Sequence, residues 1–334
     1  MRLLLLFIAC LFKIAIVVAG VDYDYVFIGT SPIPMIEATY RAQTGARVLM
    51  LEAGHVVGGA WQAIDICHIH NVDMGCHQIG YDQQMRRFLE TYIGCKLVAM
   101  NDPYGSGTTL HSSDNGAYFS HGCHELMTNL SHLAQASGVT ILLDHKLQSI
   151  HLDFDREVAE IKTNNKSFTV AKLIVTPHSD IVIENFPNLP KPQYSKHPHL
   201  YLLVTDPTPM RFTYINGFCK GISRAINLTA FLPELEGTDQ QLIAIQTHDT
   251  KCVTSASQFL AEFIKRDFLD PSAFIITAES YVYNQPHFNF CEIQNAHPNA
   301  RLFFELLPTD AIWNLSQHIK KWEKVFTPFA LSTR

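Results

Sequence analysis

Little in this chain is biased. Its 334 residues hold no low-complexity tract, no internal repeat and no block of like charge, which excludes a repeat array, a polar tail and a polyelectrolyte arm. The net charge of −6 offers no basic surface to a nucleic acid. Eight cysteines lack the dense spacing of a disulfide scaffold and read mostly as core residues, with one or two disulfides left open in an oxidising compartment. No Ser-His-Asp order or nucleophile elbow points to hydrolysis. Cys67, His68, His70, Cys76 and His77 lie close together, but their spacings match no standard zinc pattern. They read as structural or surface residues, and no metal is expected. The length and an apolar fraction of 47% suit about two globular domains with ordinary cores.

What is present is concentrated in Asp22–Trp61. Tyr23–Ile28 is an apolar, β-branched and aromatic run that reads as a buried strand. Gly29-Thr30-Ser31-Pro32 is a turn. Pro32–Thr44 reads as a helix with Ile33, Ile36 and Tyr40 on one face and its prolines confined to the first turn. Gly45 ends that helix, Val48–Leu51 is a second buried strand, and Glu52 stands at its end. A β-α-β unit with a glycine at the first turn and an acid some twenty residues on is the dinucleotide-binding layout. The helix N-terminus would take a pyrophosphate, and Glu52 a ribose hydroxyl. The usual Gly-x-Gly-x-x-Gly is here Gly29-Thr30-Ser31-Pro32-Ile33-Pro34, with Ser31 at the second glycine position and Pro34, which has no N–H, at the third.

Further on, Gln83–Ile93 is amphipathic and reads as a packed helix, and Asn101–Asn115 as a polar loop. Glu125–Ser137 reads as a helix stopped by Gly138. Strands follow at Val139–Leu143 and Lys146–Leu152, within Asp153–Asn165 and at Ser167–Thr176. The prolines of Pro187–Pro209 mark a crossing into a second domain. Strands at His199–Thr205, Met210–Tyr214, Leu242–Gln246, Phe274–Tyr283 and Arg301–Leu307, with helices at Ser255–Phe268 and Asp310–Phe326, complete the reading. Tyr214 and Arg224 are either substrate contacts or exposed sheet residues.

Glu52-Ala53-Gly54-His55-Val56-Val57-Gly58-Gly59 resembles the acid-then-glycine-pair signature of the two-dinucleotide-binding-domain flavoproteins. These include amine oxidases, protoporphyrinogen oxidase, phytoene desaturases, prenylcysteine oxidase, renalase and UDP-galactopyranose mutase. Rab GDP-dissociation inhibitors share the fold ancestry without being flavoenzymes. Val72–Ile79 resembles the Asp-x-Gly-x-His stretch that passes beside the flavin ring, and His121-Gly122 stands where the family opens a helix with a glycine pair.

The resemblance implies an α/β fold. A Rossmann-like FAD-binding domain (parallel sheet, helices on both faces, β-hairpin) would span 21–79, 118–186 and 298–334, and an α+β substrate domain 80–117 and 187–297. It places the FAD pyrophosphate at Gly29, Ser31 and Pro32, with Gly58 and Gly59 nearby. The adenine would lie near Glu52 and Leu147, the flavin ring near Trp61 and Gly75. His77 and His121 would lie near the flavin or be structural; no catalytic residue is assigned. The Gly-Asp pair that the family places after its last strand is absent, and Asp310 there reads as a helix cap. The implied activity is an FAD-dependent oxidoreductase passing hydride from a small organic substrate to the flavin. The alternative is a non-catalytic binding protein, like the GDP-dissociation inhibitors, that has lost FAD; Ser31, Pro34 and the missing Gly-Asp favour it. A sugar-mutase role finds no arginine cluster for a sugar nucleotide.

Residues 1–20 stand apart. Met1-Arg2, the apolar Leu3–Phe12, Lys13, the apolar Ile14–Ala19 and then Gly20 fit a secretory signal peptide. An uncleaved membrane anchor is the second reading, and an extra packed element the third. Either of the first two places the protein in the secretory pathway, where Asn129, Asn165, Asn227 and Asn314 would open glycosylation triplets if the cell is eukaryotic. Cleavage would leave seven cysteines, the eighth being Cys10, and so an odd thiol.

Overall fold

The structure is a computed structural model. It describes residues 20–75, 83–100, 117–176, 181–184, 193–216, 222–247, 256–287, 298–307 and 316–328, with a few single residues between them. The leader at 1–19, the loop at 101–115, Cys76, Asp310 and Asn314 lie outside the described residues. Among the described residues no helix is long and apolar enough to cross a membrane.

Strand β1 (Tyr23–Ile28) leads through a turn into helix α1 (Pro32–Gln43). Gly45 closes the helix at φ +96°, a left-handed conformation that glycine adopts without a Cβ penalty. Strand β2 (Val48–Leu51), buried throughout, pairs parallel with β1 from Tyr25↔Val48 to Ile28↔Leu51. A parallel pair needs a crossover, and α1 supplies it. Near the start of the next segment, β3 (Ala63–Ile66) and β4 (Ile69–Asp73) form a hairpin. Its turn residues Cys67 and His68 both have positive φ, at 53° and 63°. His68 therefore belongs to the turn.

Helix α2 (Gln83–Phe88) runs into a π-helical turn at Leu89–Ile93. Strands β5 (Leu97–Ala99) and β6 (Ala117–Phe119) pair next, followed by helix α3 (Gly122–Ala136). That helix starts three residues before the expected Glu125, because a carboxylate from β4 caps it from outside: Asp73 Oδ1 accepts the Cys123 N–H at 2.7 Å.

Strands β7 (Thr140–Leu142), β8 (Leu147–Asp153), β9 (Val158–Thr163) and β10 (Ser167–Val175) complete most of a seven-stranded sheet of order β7-β2-β1-β10-β9-β8. β7, β2, β1 and β10 run parallel; β9 and β8 return antiparallel. The late strand β16 (Phe304–Leu306) joins β10 in parallel at Leu173–Val175. On one face, α1 and α3 pack Ile33, Ile36, Leu126 and Leu130 against Phe27, Val48 and Met50. On the other, Ile150, Leu152 and Ile161 of the β8–β9 hairpin and Phe303 pack with Val26, Leu49 and Leu51. Arg301–Leu307, expected as one strand, is a 3-10 turn over Pro298–Leu302 before β16 begins.

The second sheet is antiparallel, of order β12-β13-β14-β11-β15: β11 (Gln193–Thr205), β12 (Tyr214–Asn216), β13 (Ile222–Asn227), β14 (Gln240–Thr247) and β15 (Phe274–His287). β11 begins inside the proline-rich stretch expected as a crossing. Pro198 lies just before the first residue paired with β14, where among the described residues β11 has a neighbour on one side only and a sheet tolerates proline. The expected strand Met210–Tyr214 reduces to its last residue, which opens β12. Helix α4 (Ala256–Lys265) covers one face, packing Phe259 and Phe263 on Leu200, Leu202, Ile243 and Ile245. The opposite face presents Tyr201, Leu203, Ile226 and Ala244 to the same core as α1 and α3. Helix α5 (Ser316–Trp322) ends before the expected Phe326; the first six residues of that expected helix, from Asp310, are not described.

Candidate functional site

The carboxyl ends of β1 and β2 bring the fingerprint residues together. Gly29 turns the chain at φ +93°, and a Cβ built there would meet no atom within 4 Å. The next residue, Thr30, is fully buried. Its hydroxyl donates to Glu52 Oε2 at 2.5 Å and accepts the Gly58 N–H at 2.9 Å. Glu52 Oε1 accepts the Gly54 N–H at 3.0 Å. Two bonds leave a carboxylate with lone pairs to spare, and Glu52 remains partly exposed. The Glu52 carbonyl also accepts the His145 N–H at 2.8 Å, which brings Leu147, two residues on and half-buried at the start of β8, to the same end of the sheet.

The glycine pair has separate causes. A Cβ on Gly58 (φ +124°) would come within 2.8 Å of the Gln62 backbone nitrogen, so the chain's own turn demands glycine there. Gly59, at φ +55°, lies against Ser31, with its ideal Cβ position 3.9 Å from the Ser31 Cβ. At the start of α1, Ser31 is the N-cap but makes no side-chain capping bond. Pro32 and Pro34 remove two of the N–H groups that a helix N-terminus would otherwise aim at an anion.

Trp61 and Gly75 lie further along. The His77 ring stacks on Trp61 with centroids 4.3 Å apart and planes 17° from parallel. Its Nε2 lies 2.8 Å from the Ala60 carbonyl and 2.9 Å from that of Met74, which fixes it as the protonated donor nitrogen. Burial, helped by the charge on Arg224, pushes this imidazole down to about 4. The neighbour that makes glycine necessary at residue 75 is His199 of β11: a Cβ on Gly75 would come within 2.8 Å of its Nε2. The Gly75 N–H donates to the Tyr201 hydroxyl at 2.7 Å, which donates to the Asp73 carbonyl at 2.9 Å.

Beneath this segment the Asp73 side chain is sealed in. It takes hydrogen bonds from the Tyr118 hydroxyl and the Cys123 N–H, and Tyr118 Oη also lies 3.1 Å from Cys123 Sγ. Burial raises the Asp73 carboxyl to about 6 against the lowering effect of those donors. His121, by contrast, is exposed and lies beside Ser120 and Glu125. Cys67, Cys95 and Cys123 are free and buried. His70 is exposed and pairs with Asp65 at 3.1 Å. Asn227 is fully buried and donates to Gln241 at 2.7 Å, a position closed to a glycan in the folded chain. Thr30, Tyr118, Tyr201 and His199 were not singled out by the sequence. Only the His197-Pro198-His199 alternation carried a signal for any of them.

The residues fit the adenosine half of an extended FAD: Glu52 for the ribose, open space at Gly29, and Leu147 at the same sheet end. At the phosphate turn the Ser31 hydroxyl and the Ile33 N–H are the groups that would replace the donors lost at Pro32 and Pro34.

No family model matches this chain, and no curated protein matches it in sequence. Solved structures match it in fold. A protein provisionally named protoporphyrinogen oxidase from Exiguobacterium sp. 255-15 superposes with a TM-score of 0.61 at 10% identity, covering 91% of this chain and 98% of its own. An oxidoreductase from Methanosarcina mazei gives 0.58 at 12% identity, with 77% and 87% covered. A Rab GDI from Plasmodium falciparum gives 0.53 at 10%, with 78% and 89% covered. At such identities the likeness establishes the fold, and it is the fold that the Glu52–Gly59 resemblance implied.

Proposed function

We propose that this chain binds FAD extended along the carboxyl ends of β1 and β2 and acts as an FAD-dependent oxidoreductase on a small organic substrate. The observation that carries the reading is Glu52: a partly exposed carboxylate, oriented by Thr30 and Gly54, beside a left-handed Gly29 with open space before it. When bound, the flavin supplies the hydride-accepting chemistry. Glu52 accepts the ribose hydroxyls, and the Ser31 hydroxyl and Ile33 N–H hold the pyrophosphate. Leu147 lies beside the adenine. Trp61, braced by His77, and the Gly75 backbone line the ring. His77 stays neutral at neutral pH and keeps its proton on Nε2, so it positions the ring's surroundings rather than exchanging protons. The test is FAD titration into the purified full chain, read by visible flavin absorbance after gel filtration. Stoichiometric uptake is expected, weakened at least about tenfold in Glu52→Gln, since a hydrogen bond to a charged group contributes about 1.5–3 kcal/mol.

A second reading, a fold-sharing binding protein without FAD, draws on Pro32 and Pro34, which strip two donors from the phosphate turn. A folded chain that takes up no FAD would move the assignment there.

A further inference from the structure

The Asn-x-Ser/Thr triplets at Asn129, Asn165, Asn227 and Asn314 are chemically alike, but the fold treats the three described ones differently. Asn227 is fully buried. Its Nδ2 donates to Gln241 Oε1 at 2.7 Å, and its Oδ1 accepts the Thr229 N–H at 3.2 Å. The hydroxyl of the same triplet, on Thr229, accepts the Leu242 N–H at 2.9 Å, so both ends of the motif are used inside the second sheet. Asn129 is half-buried on α3. Its Nδ2 donates to the Gly94 carbonyl at 3.3 Å and lies 4.0 Å from Sγ of the buried Cys95. A substituent on either nitrogen would have to displace packed chain.

Asn165 is exposed, in the turn between β9 and β10. Thr163 holds that turn. Its N–H and its hydroxyl both donate to the Lys166 carbonyl at 2.8 Å. Its Oγ1 accepts the Lys166 N–H at 3.0 Å and the Asn165 N–H at 3.3 Å. Asn165 Nδ2 donates to the Asp144 carbonyl at 3.0 Å, but Asn164 Nδ2 reaches the same oxygen at 3.1 Å. The Asp144 carbonyl therefore keeps a donor when the Asn165 side chain turns away, and no buried acceptor is stranded. Ser167, which supplies the hydroxyl of this triplet, is exposed at the first residue of β10.

We infer that Asn165 is the acceptor of an N-linked oligosaccharide. The inference rests on export through residues 1–20 in a eukaryotic cell and is independent of the FAD reading. In the transfer, Nδ2 of Asn165 bonds to C1 of an oligosaccharide carried on a polyprenyl pyrophosphate. The bond from C1 to the pyrophosphate oxygen breaks, the lipid pyrophosphate leaves with the electron pair, and the amide gives up one proton. Sugar is added before the chain has packed, so the fold acts afterwards as a filter. A chain carrying the glycan at Asn227 loses the bonds that join β13 to Gln241, and one carrying it at Asn129 cannot seat α3 on the Gly94 carbonyl. A chain carrying it at Asn165 gives up only a bond that Asn164 duplicates. A bulky, solvated substituent belongs on such a surface turn.

The test is expression of the full chain with its own leader in cultured mammalian cells, in an Asn314→Gln background that removes the triplet outside the described residues. Secreted protein is treated with peptide N-glycosidase F, which turns a glycosylated asparagine into aspartate, and its peptides are mapped by mass spectrometry. Conversion is expected at residue 165 alone, with one glycosidase-sensitive step in electrophoretic mobility. Asn165→Gln and Ser167→Ala should each abolish that step. Ser167→Ala leaves Asn165 and its bond to Asp144 in place, and Ser167→Thr should restore the glycan. Conversion at Asn129 or Asn227 in secreted protein overturns the inference. So does secreted protein without a glycan, or a chain retained in the cytosol. FAD uptake is read separately on the same protein: its failure leaves this site standing, and an unmodified Asn165 leaves the flavoprotein reading standing.

Discussion

The Thr30 hydroxyl stands 2.5 Å from the Glu52 carboxylate and 2.9 Å from the Gly58 nitrogen. One buried side chain thus ties the turn after β1 to the end of β2 and to the glycine pair beyond it. Thr30→Val keeps the shape but strands the Gly58 N–H and leaves Glu52 held by the Gly54 N–H alone of its two side-chain bonds. It should cost about 2–3 kcal/mol in urea denaturation and weaken FAD uptake. Thr30→Ser should recover most of both.

Gly75→Ala places a Cβ within 2.8 Å of His199 Nε2 at a φ of +102°. The strained conformation and the overpacking together should cost roughly 2–4 kcal/mol. In a His199→Ala background the overpacking part disappears and the conformational part stays. A double-mutant cycle by chemical denaturation should therefore show positive coupling between residues 75 and 199; strict additivity would refute the contact.

Asp73 gives the chain a pH signature. Burial raises its folded-state carboxyl from 3.8 to about 6, so the folded protein binds this proton more tightly than the unfolded one. The contribution to stability is full below about pH 4, is lost as pH rises through about 6, and is flat above that. It amounts to roughly 3 kcal/mol. Asp73→Asn should remove this slope from a stability profile measured between pH 4 and 7.

Glu37 is 1% exposed and binds Arg41 Nε at 3.0 Å, Lys321 Nζ at 2.8 Å and Trp322 Nε1 at 2.8 Å. It is the polar link between α1 and α5. Glu37→Ala leaves buried donors without an acceptor and should cost about 3–5 kcal/mol. The fluorescence of Trp322 should report the release of α5 before global unfolding.

The β1–α1–β2 unit was legible because its cues are local: an apolar run, prolines confined to one turn and Gly45 at the helix end. The start of α3 at Gly122 was legible only through the resemblance, which opens the helix at His121-Gly122; periodicity placed it at Glu125, because the cap is Asp73, fifty residues upstream. β13 was assigned no strand, although Arg224 was offered as a sheet residue; Ser223, Arg224 and Asn227 interrupt its apolar run, and its place between β12 and β14 makes it a strand. Met210–Tyr214 carries apolar residues that suggest a strand, but Phe212 is buried among the aromatic residues Phe263 and Phe268, and pairing begins at Tyr214. The alignment of Arg224, Gln246, His199 and Tyr281 in one row needed the register of four strands separated by up to eighty residues. No single stretch contains it, although Arg224 drew notice on its own. Glu52 was recognised from its position, whereas its anchor Thr30 looked like an ordinary turn residue.

The path of the chain between β10 and β16 has a consequence for synthesis. When Val175 leaves the ribosome, six of the seven strands of the first sheet already exist. Leu173–Val175 must then wait for Phe304–Leu306 while the whole second sheet is made, a delay of roughly 6–25 s at ordinary elongation rates. Throughout that interval the nascent protein carries an open strand edge of the kind that recruits foreign strands. A message broken anywhere before codon 304 yields a chain whose edge never closes.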